Sequence, residues 1–194
     1  GENGCGKTTL LRLISRLEKP TRGVILQNID DKFGQKSKQS KKWYKKVGVV
    51  YQNPDYQLFM QTVEKEIKFG AKSDEYADEI AEKFGIKHLY ARHPQSLSEG
   101  QKRRVSIAAV VATDPEVLIL DEPTVGQDYK GLCEMVEVLN KLHEEAHNTM
   151  ITVTHDKRCA AALCDKSVWI KNGKTYKTGG KELVDEFFIQ IGVN

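Results

Sequence analysis

The first eight residues, Gly1-Glu2-Asn3-Gly4-Cys5-Gly6-Lys7-Thr8, follow a pattern of one glycine, any four residues, then Gly-Lys-Thr. Each fixed position has a chemical reason. Glycines let the backbone wrap closely enough for its N–H groups to point at phosphate oxygens, and a helix that starts at once adds the positive end of its dipole. The Lys7 ammonium can reach β and γ phosphates, the Thr8 hydroxyl can hold Mg2+, and Thr9 completes the nucleotide-binding stretch. The pattern predicts a bound nucleotide without saying what becomes of it.

A second constellation lies at the end of Val117-Leu118-Ile119-Leu120, a continuous apolar run that reads as a strand buried on both faces. It delivers Asp121 and Glu122 to the carboxyl end of that strand, where open α/β sheets bind their ligands. Asp121 is placed to hold Mg2+, and Glu122 to orient or deprotonate a water attacking the γ-phosphate. A kinase would need an acceptor pocket, of which the sequence gives no sign.

These groups need elements to position them. Thr8 to Arg16 reads as a short helix ended by Pro20-Thr21-Arg22-Gly23, and Val24-Ile25-Leu26 as the start of a strand. Lys32 to Lys46 carries seven lysines in fifteen residues and reads as a solvated loop or hairpin, with phosphate binding as the alternative. Val47 to Tyr51 is a second strand. Ala77, Ile80, Ala81 and Phe84 recur at helical spacing, and Gly85 suits a left-handed cap. Leu132, Met135, Val136, Leu139 and Leu142 form the apolar stripe of a longer helix, and Thr149 to Val153 reads as another buried strand. Val168 to Lys177 reads as a hairpin turning at Asn172-Gly173 in a type I′ turn. Strands alternating with helices predict a parallel α/β sheet.

The 194 residues suit one domain, and 39% hydrophobic against 29% charged residues excludes a disordered tail or a disulfide-dense miniprotein. A net charge of +3 does not argue for nucleic acid, so none is expected as a partner. No run approaches the roughly 20 apolar residues that cross a bilayer, so membrane contact is expected through a partner. Cys5, Cys133, Cys159 and Cys164 do not repeat the short spacing of a zinc site and read as free thiols of a reducing cytoplasm. A phosphate loop normally follows a buried strand; the sequence therefore predicts a sheet lacking its N-terminal strand and a domain less stable than its parent.

Between these elements lies Leu97-Ser98-Glu99-Gly100-Gln101, and with it the chain resembles the ATP-binding subunits of ABC transporters along essentially its whole length. The marks occur in order: GENGCGKT, Gln52 after a strand, LSEGQ, VLILDEP, Val125-Gly126-Gln127-Asp128 and Val153-Thr154-His155. The resemblance implies an α/β P-loop NTPase fold. Its RecA-like core would span 1–53 and 105–194 with a β-rich edge at about 22–51, and a helical signature subdomain would span 54–104. It also implies Mg2+ and ATP, and a head-to-tail pairing with a second ABC ATPase domain, identical or paralogous. Ser98, Glu99, Gly100 and Gln101 would then meet the nucleotide held by the partner domain, and Asp128 would cross the interface. His155 would contact the γ-phosphate and position Glu122, while Gln52 would approach Mg2+ and the water. Two positions depart from the family: Glu99 replaces the usual second glycine, and Gln127 the usual leucine. The residue that stacks on adenine is expected upstream of Gly1.

The segment Tyr51-Gln-Asn-Pro-Asp-Tyr-Gln-Leu-Phe59, with Thr62-Val-Glu-Lys-Glu66 and Phe69-Gly70, looks like the ATPases of energy-coupling-factor importers of vitamins or transition-metal ions. In that group the segment forms a groove for helices of a transmembrane coupling subunit. Tyr56, Leu58, Phe59 and Phe69 would line it, or simply pack the helical lobe. Glu99 and Gly126-Gln127-Asp128 resemble the second half of tandem versions. The expected place is the cytoplasmic face of the cell membrane, peripherally through the partner. Two rivals stand beside this reading. A non-transport ABC ATPase of DNA maintenance would carry a long coiled coil between Lys7 and Ser98, where no sustained heptads occur, whereas one of translation stays open. A degenerate nucleotide-binding partner is opposed by the presence of Lys7, Asp121, Glu122 and His155.

Overall fold

The structure is a computed structural model that describes residues 1, 4–25, 43, 46–146 and 148–191. Glu2 and Asn3, Leu26, and most of the lysine-rich stretch lie outside the described residues. Elements run α1 (Lys7–Ile14), β1 (Val47–Val50), α2 (Val63–Lys68), α3 (Asp74–Lys83), α4 (Glu99–Val111), β2 (Val117–Asp121), α5 (Tyr129–Ala146), β3 (Thr149–Val153), α6 (Lys157–Leu163), β4 (Ser167–Lys171), β5 (Lys174–Gly179) and α7 (Lys181–Gln190).

β1, β2 and β3 form a parallel sheet in that order, and β4 pairs antiparallel with β5. Because side chains alternate across a strand, β2 serves two cores. Leu118 and Leu120 face the cluster built by α2, α3, α4 and α5, whereas Val117 and Ile119 join Leu11 of α1 and Trp43. Helices thus cover both faces, as the parallel α/β pattern predicts. The register decides where the chemistry lies: Val50, Leu120 and Thr152 are level across the three strands. Two residues beyond each come Gln52, Glu122 and Thr154, so three separate loops leave one edge of the sheet at one height.

The helical region between β1 and β2 is built from well-terminated short helices. Thr62 and Ser73 cap α2 and α3 by accepting from Lys65 N and Tyr76 N. Gly85, at φ 65°, closes α3 as predicted: its N–H reaches Glu82 O and that of Ile86 reaches Ala81 O, the paired bonds of a Schellman motif. The hairpin turn is also as predicted, with Asn172 and Gly173 at φ 49° and 71°, the signs a type I′ turn requires.

Several expectations change. The signature residues Glu99, Gly100 and Gln101 are themselves helical, because Ser98 caps α4. Val24 and Ile25 form no strand, and Val24 is largely exposed. Val47–Val50 belongs to the parallel sheet rather than to a separate β-rich edge. Thr149 to Val153 is half-buried at best, since β3 has one strand neighbour among the described residues. Beyond its other side lies a cavity of about 640 Å³, bounded by Leu11, Ile151, Val153, Trp169, Ile170 and Phe188 among others.

Candidate nucleotide site

Gly4 and Gly6 take φ 75° and 100°, a region that side-chain-bearing residues seldom adopt, and so curl the first loop into α1. Gly6 at the N-cap of α1 has no side chain to cap it, so the start of the helix opens on the first loop as an anion site. Lys7 Nζ lies across the loop and donates to Gly1 O at 2.8 Å. A contact invisible to motif reading braces the loop from outside: Gly173 N, in the β4–β5 turn, donates to Cys5 O at 3.1 Å. Gly1 fits close against β4, since a Cβ there would sit 2.3 Å from Ile170 O. All four cysteines are free thiols, as expected, and burial pushes the Cys159 thiol up to about 12.

Asp121 closes β2 beside this loop and is 7% exposed. Burial, and then the neighbouring Glu122 charge, raise its carboxyl above the ordinary range; the Lys7 and Arg103 charges and a hydrogen bond from Thr8 oppose the rise. Thr8 hydroxyl and Asp121 carboxylate therefore stand together as hard oxygen donors, a set that suits Mg2+ keeping several of its waters.

Glu122 is 6% exposed and sits at φ 51°, unusual for a residue with a side chain. Its N–H donates to Val153 O at 2.8 Å, and its carboxylate meets His155 through both oxygens: Oε2 accepts His155 N at 3.2 Å, and Oε1 lies 2.8 Å from His155 Nδ1. A strained backbone held by a neighbouring strand and a neighbouring loop is the kind of feature found at reacting centres. The His155 side chain is 62% exposed, at the surface end of this pair.

Ser98 and Gln101 form a reciprocal capping box on α4: Ser98 Oγ accepts Gln101 N at 3.3 Å, and Gln101 Oε1 accepts Ser98 N at 3.1 Å. Gln101 is thereby occupied with its own helix. The Glu99 carboxylate lies 3.4 Å from Lys102 Nζ, which compensates its charge. Gln127 donates from Nε2 to Gly100 O at 2.9 Å and so ties the Val125–Asp128 loop to the signature turn of the same chain. Asp128 Oδ1 accepts Gly131 N at 2.7 Å, capping the start of α5. α4 packs chiefly on α2, α3 and β1, so the first loop, Asp121, Glu122 and His155 come together while the signature turn stands on a different element.

Gln57, Arg103 and Lys102, to which the sequence reading gave no role, hold the Gln52 segment. Gln57 reads along the end of β1, its amide accepting Tyr51 N at 2.9 Å and donating to Val49 O at 2.7 Å. Arg103 donates to Tyr51 O and Gln52 O, and Lys102 Nζ lies 2.8 Å from Asp55 Oδ1. Gln52 itself is exposed. Farther on, Phe59 and Phe69 stand edge to face at 5.3 Å and are exposed, as is Tyr56, whereas Leu58 is buried and lines no surface. Glu66, 3% exposed, accepts Phe59 N at 2.9 Å and Met60 N at 2.7 Å. No described helix is long and apolar enough to cross a membrane.

The family model for ABC transporters matches residues 1–125. The energy-coupling factor transporter ATP-binding protein EcfA2 of Bacillus thuringiensis strain Al Hakam is 42% identical over 95% of this chain and 66% of its own length. The protein of the same name from Bacillus subtilis strain 168 is 42% identical over 92% of the chain and 68% of its own length. This chain thus spans just under two thirds of the first of these relatives. Among solved structures, cbiO1 of Clostridium perfringens, part of the ABC transporter complex cbiONQ, superposes with a TM-score of 0.80 at 32% identity, over 100% of this chain and 81% of that one. The ATP-binding cassette MJ0796, a post-hydrolysis dimer bound to ADP and Pi, superposes with a TM-score of 0.78 at 26% identity, over 93% and 83%.

Proposed function

From the premise that the chain belongs to the ABC transporter family, we propose that it binds and hydrolyses ATP to power a membrane importer of the energy-coupling-factor type. The single observation that carries the hydrolytic reading is Glu122, buried, strained and bonded twice by His155 beside a phosphate-binding loop.

The triphosphate lies on the loop of Gly1, Gly4, Cys5 and Gly6, on the leading N–H groups of α1 and on Lys7. Mg2+ would be held by Thr8, Asp121 and Gln52, and when bound supplies charge neutralisation between the β and γ phosphates. Glu122 takes the proton of the water attacking the γ-phosphorus in line, as the bond from that phosphorus to the β-phosphate oxygen breaks and ADP leaves. His155 keeps that carboxylate aimed and contacts the γ-phosphate. A carboxylate so placed contributes about 10²–10⁴-fold by general base catalysis.

The signature turn of Ser98, Glu99 and Gly100 serves the nucleotide of a second ABC ATPase domain stacked head to tail, with Asp128 at the interface. The dimeric state of the MJ0796 neighbour supports this arrangement. Pairing of Glu99 with Lys102 supports a working composite site over a degenerate one. Residues 54–104 act as the helical signature subdomain, and the exposed Tyr56, Phe59 and Phe69 receive the transmembrane coupling subunit. The chain then works at the cytoplasmic membrane face, held there by that partner; the names of the EcfA2 and cbiO1 relatives support this.

Co-purification of the full-length protein from native membranes tests the reading. Recovery of a polytopic coupling protein and a solute-binding membrane protein, with ATPase activity lost in Glu122→Gln, is expected. Recovery of ribosomes or DNA-repair proteins alone would retain the ATPase and discard the importer.

A further inference from the structure

Arg103 is 2% exposed and makes no ion pair among the described residues. Its guanidinium hydrogen-bonds main-chain carbonyls, Nη1 donating to Tyr51 O at 2.7 Å and Nη2 to Gln52 O, the carbonyls of the two residues that leave β1, and it also feels the charges of Glu99, Asp121 and Glu122. Nε has no partner. Burying this charge is costly, and the Glu99, Asp121 and Glu122 charges offset that cost only in part, whereas an apolar side chain of similar volume would fill the same space without it. The preceding residue, Lys102, is 8% exposed and grips the far end of the same segment through Asp55. α4 therefore holds the stretch from Tyr51 to Asp55 at both ends, and the same helix carries Ser98 as its N-cap, five residues before Arg103. A helix transmits displacement along its axis with little loss over that distance, about 7.5 Å of rise.

We infer that Arg103, supported by Lys102, is a positioning residue that ties Gln52 to the signature turn, so that a partner domain's phosphate engaging Ser98 sets the place of Gln52 in this domain's own site. The inference rests on the composite-site reading above. It makes α4 the physical connection between the site a domain completes for its partner and the one it owns. The sensitivity is high, since misplacing a group by about 1 Å can cost about 10²-fold in rate.

The test uses the full-length protein assembled with its partner domain and membrane subunits. Arg103→Met and Arg103→Lys are made in the natural background and in Gln52→Ala. Turnover, KM for ATP, the Mg2+ midpoint and the melting temperature are measured for each. In the natural background Arg103→Met is expected to lower kcat about tenfold or more with KM within about twofold, and to raise the Mg2+ midpoint. Arg103→Lys recovers part of the loss, because an ammonium can still donate to one carbonyl. In Gln52→Ala, Arg103→Met is expected to change kcat less than about twofold, because its route to the site is already gone. Equal losses in both backgrounds, or no loss in either, overturn the inference. If Arg103→Met does not fold, Asp55→Asn decides instead: its carboxylate is 42% exposed, so the fold tolerates the change. A fall in kcat that disappears in Gln52→Ala is expected, and an equal fall in both overturns the inference. A natural complex that hydrolyses no ATP overturns the proposed function together with this inference, whereas normal turnover that ignores Arg103 overturns only the latter.

Discussion

His155 meets Glu122 twice, once through its backbone N–H at 3.2 Å from Oε2 and once through Nδ1 at 2.8 Å from Oε1. The two contacts separate what the imidazole does from what the loop does. Replacing Glu122 by Gln keeps the shape and removes the base, so turnover is expected to fall by about 10² or more while ATP-dependent pairing persists. Replacing His155 by Ala removes one contact and keeps the other, so about tenfold loss is expected rather than abolition. Steady-state ATPase assays with size-exclusion chromatography check both, and full turnover in Glu122→Gln would remove the carboxylate from the mechanism.

Ser98 has a structural duty as N-cap and a proposed duty toward the partner's phosphate. Ser98→Asp keeps an acceptor for Gln101 N and places a negative charge where a phosphate would approach. Its melting temperature is expected to stay within about 2 °C of the natural protein while turnover is lost. Ser98→Ala loses the cap, at about 1 kcal/mol or about 2–4 °C. Thermal unfolding beside ATPase measurement separates the two duties, and normal turnover in Ser98→Asp would count against the composite site.

Asp121 and Glu66 both have carboxyls raised by burial. Each binds its proton more tightly folded than unfolded. Their contribution therefore falls as pH rises from the unfolded range near 4 through the folded values, and the full penalty is present above them. Asp78 and Asp156 run the opposite way, lowered chiefly by hydrogen bonds from Tyr90 and Arg158, and their stabilisation is lost only as pH falls through their depressed values. The nucleotide-free protein is thus expected to gain stability on mild acidification before losing it in strong acid. Asp121→Asn is expected to melt about 2 °C or more higher at neutral pH, with a smaller gain on acidification and no Mg2+-dependent turnover. Calorimetry from pH 7 to 4 checks the sign; a lower melting temperature in Asp121→Asn would refute it.

Phe59 and Tyr56 are 67% and 80% exposed. Phe59→Ser and Tyr56→Ser are expected to leave the melting temperature within about 2 °C and to reduce co-purification with the membrane subunit severalfold. Retention of the subunit by the double variant would move the docking surface elsewhere.

What could be read beforehand was whatever is local in the chain. The loop of Gly1 to Thr8, the acids ending an apolar run, the α3 cap at Gly85 and the Asn172-Gly173 turn each announce themselves within a few residues. What could not be read depends on pairs distant in sequence: Arg103 with Tyr51 and Gln52, Gly173 with Cys5, and Gln127 with Gly100. Gln127 shows the difference well. Its departure from leucine was visible, but its amide has a purpose only once Gly100 O is seen 2.9 Å away. Leu58 and β3 misled for a related reason, since an apolar residue among aromatics, or an apolar run, carries no record of how many neighbours will cover it.

Lys7 Nζ donates to Gly1 O, a neutral main-chain acceptor. The ammonium is held toward the first loop, where a phosphate would approach. An arriving triphosphate exchanges a neutral acceptor for an anionic one on a cation already in place. Little ordering entropy is then spent at the moment of encounter. Discrimination between nucleotides then falls on whatever else the triphosphate touches.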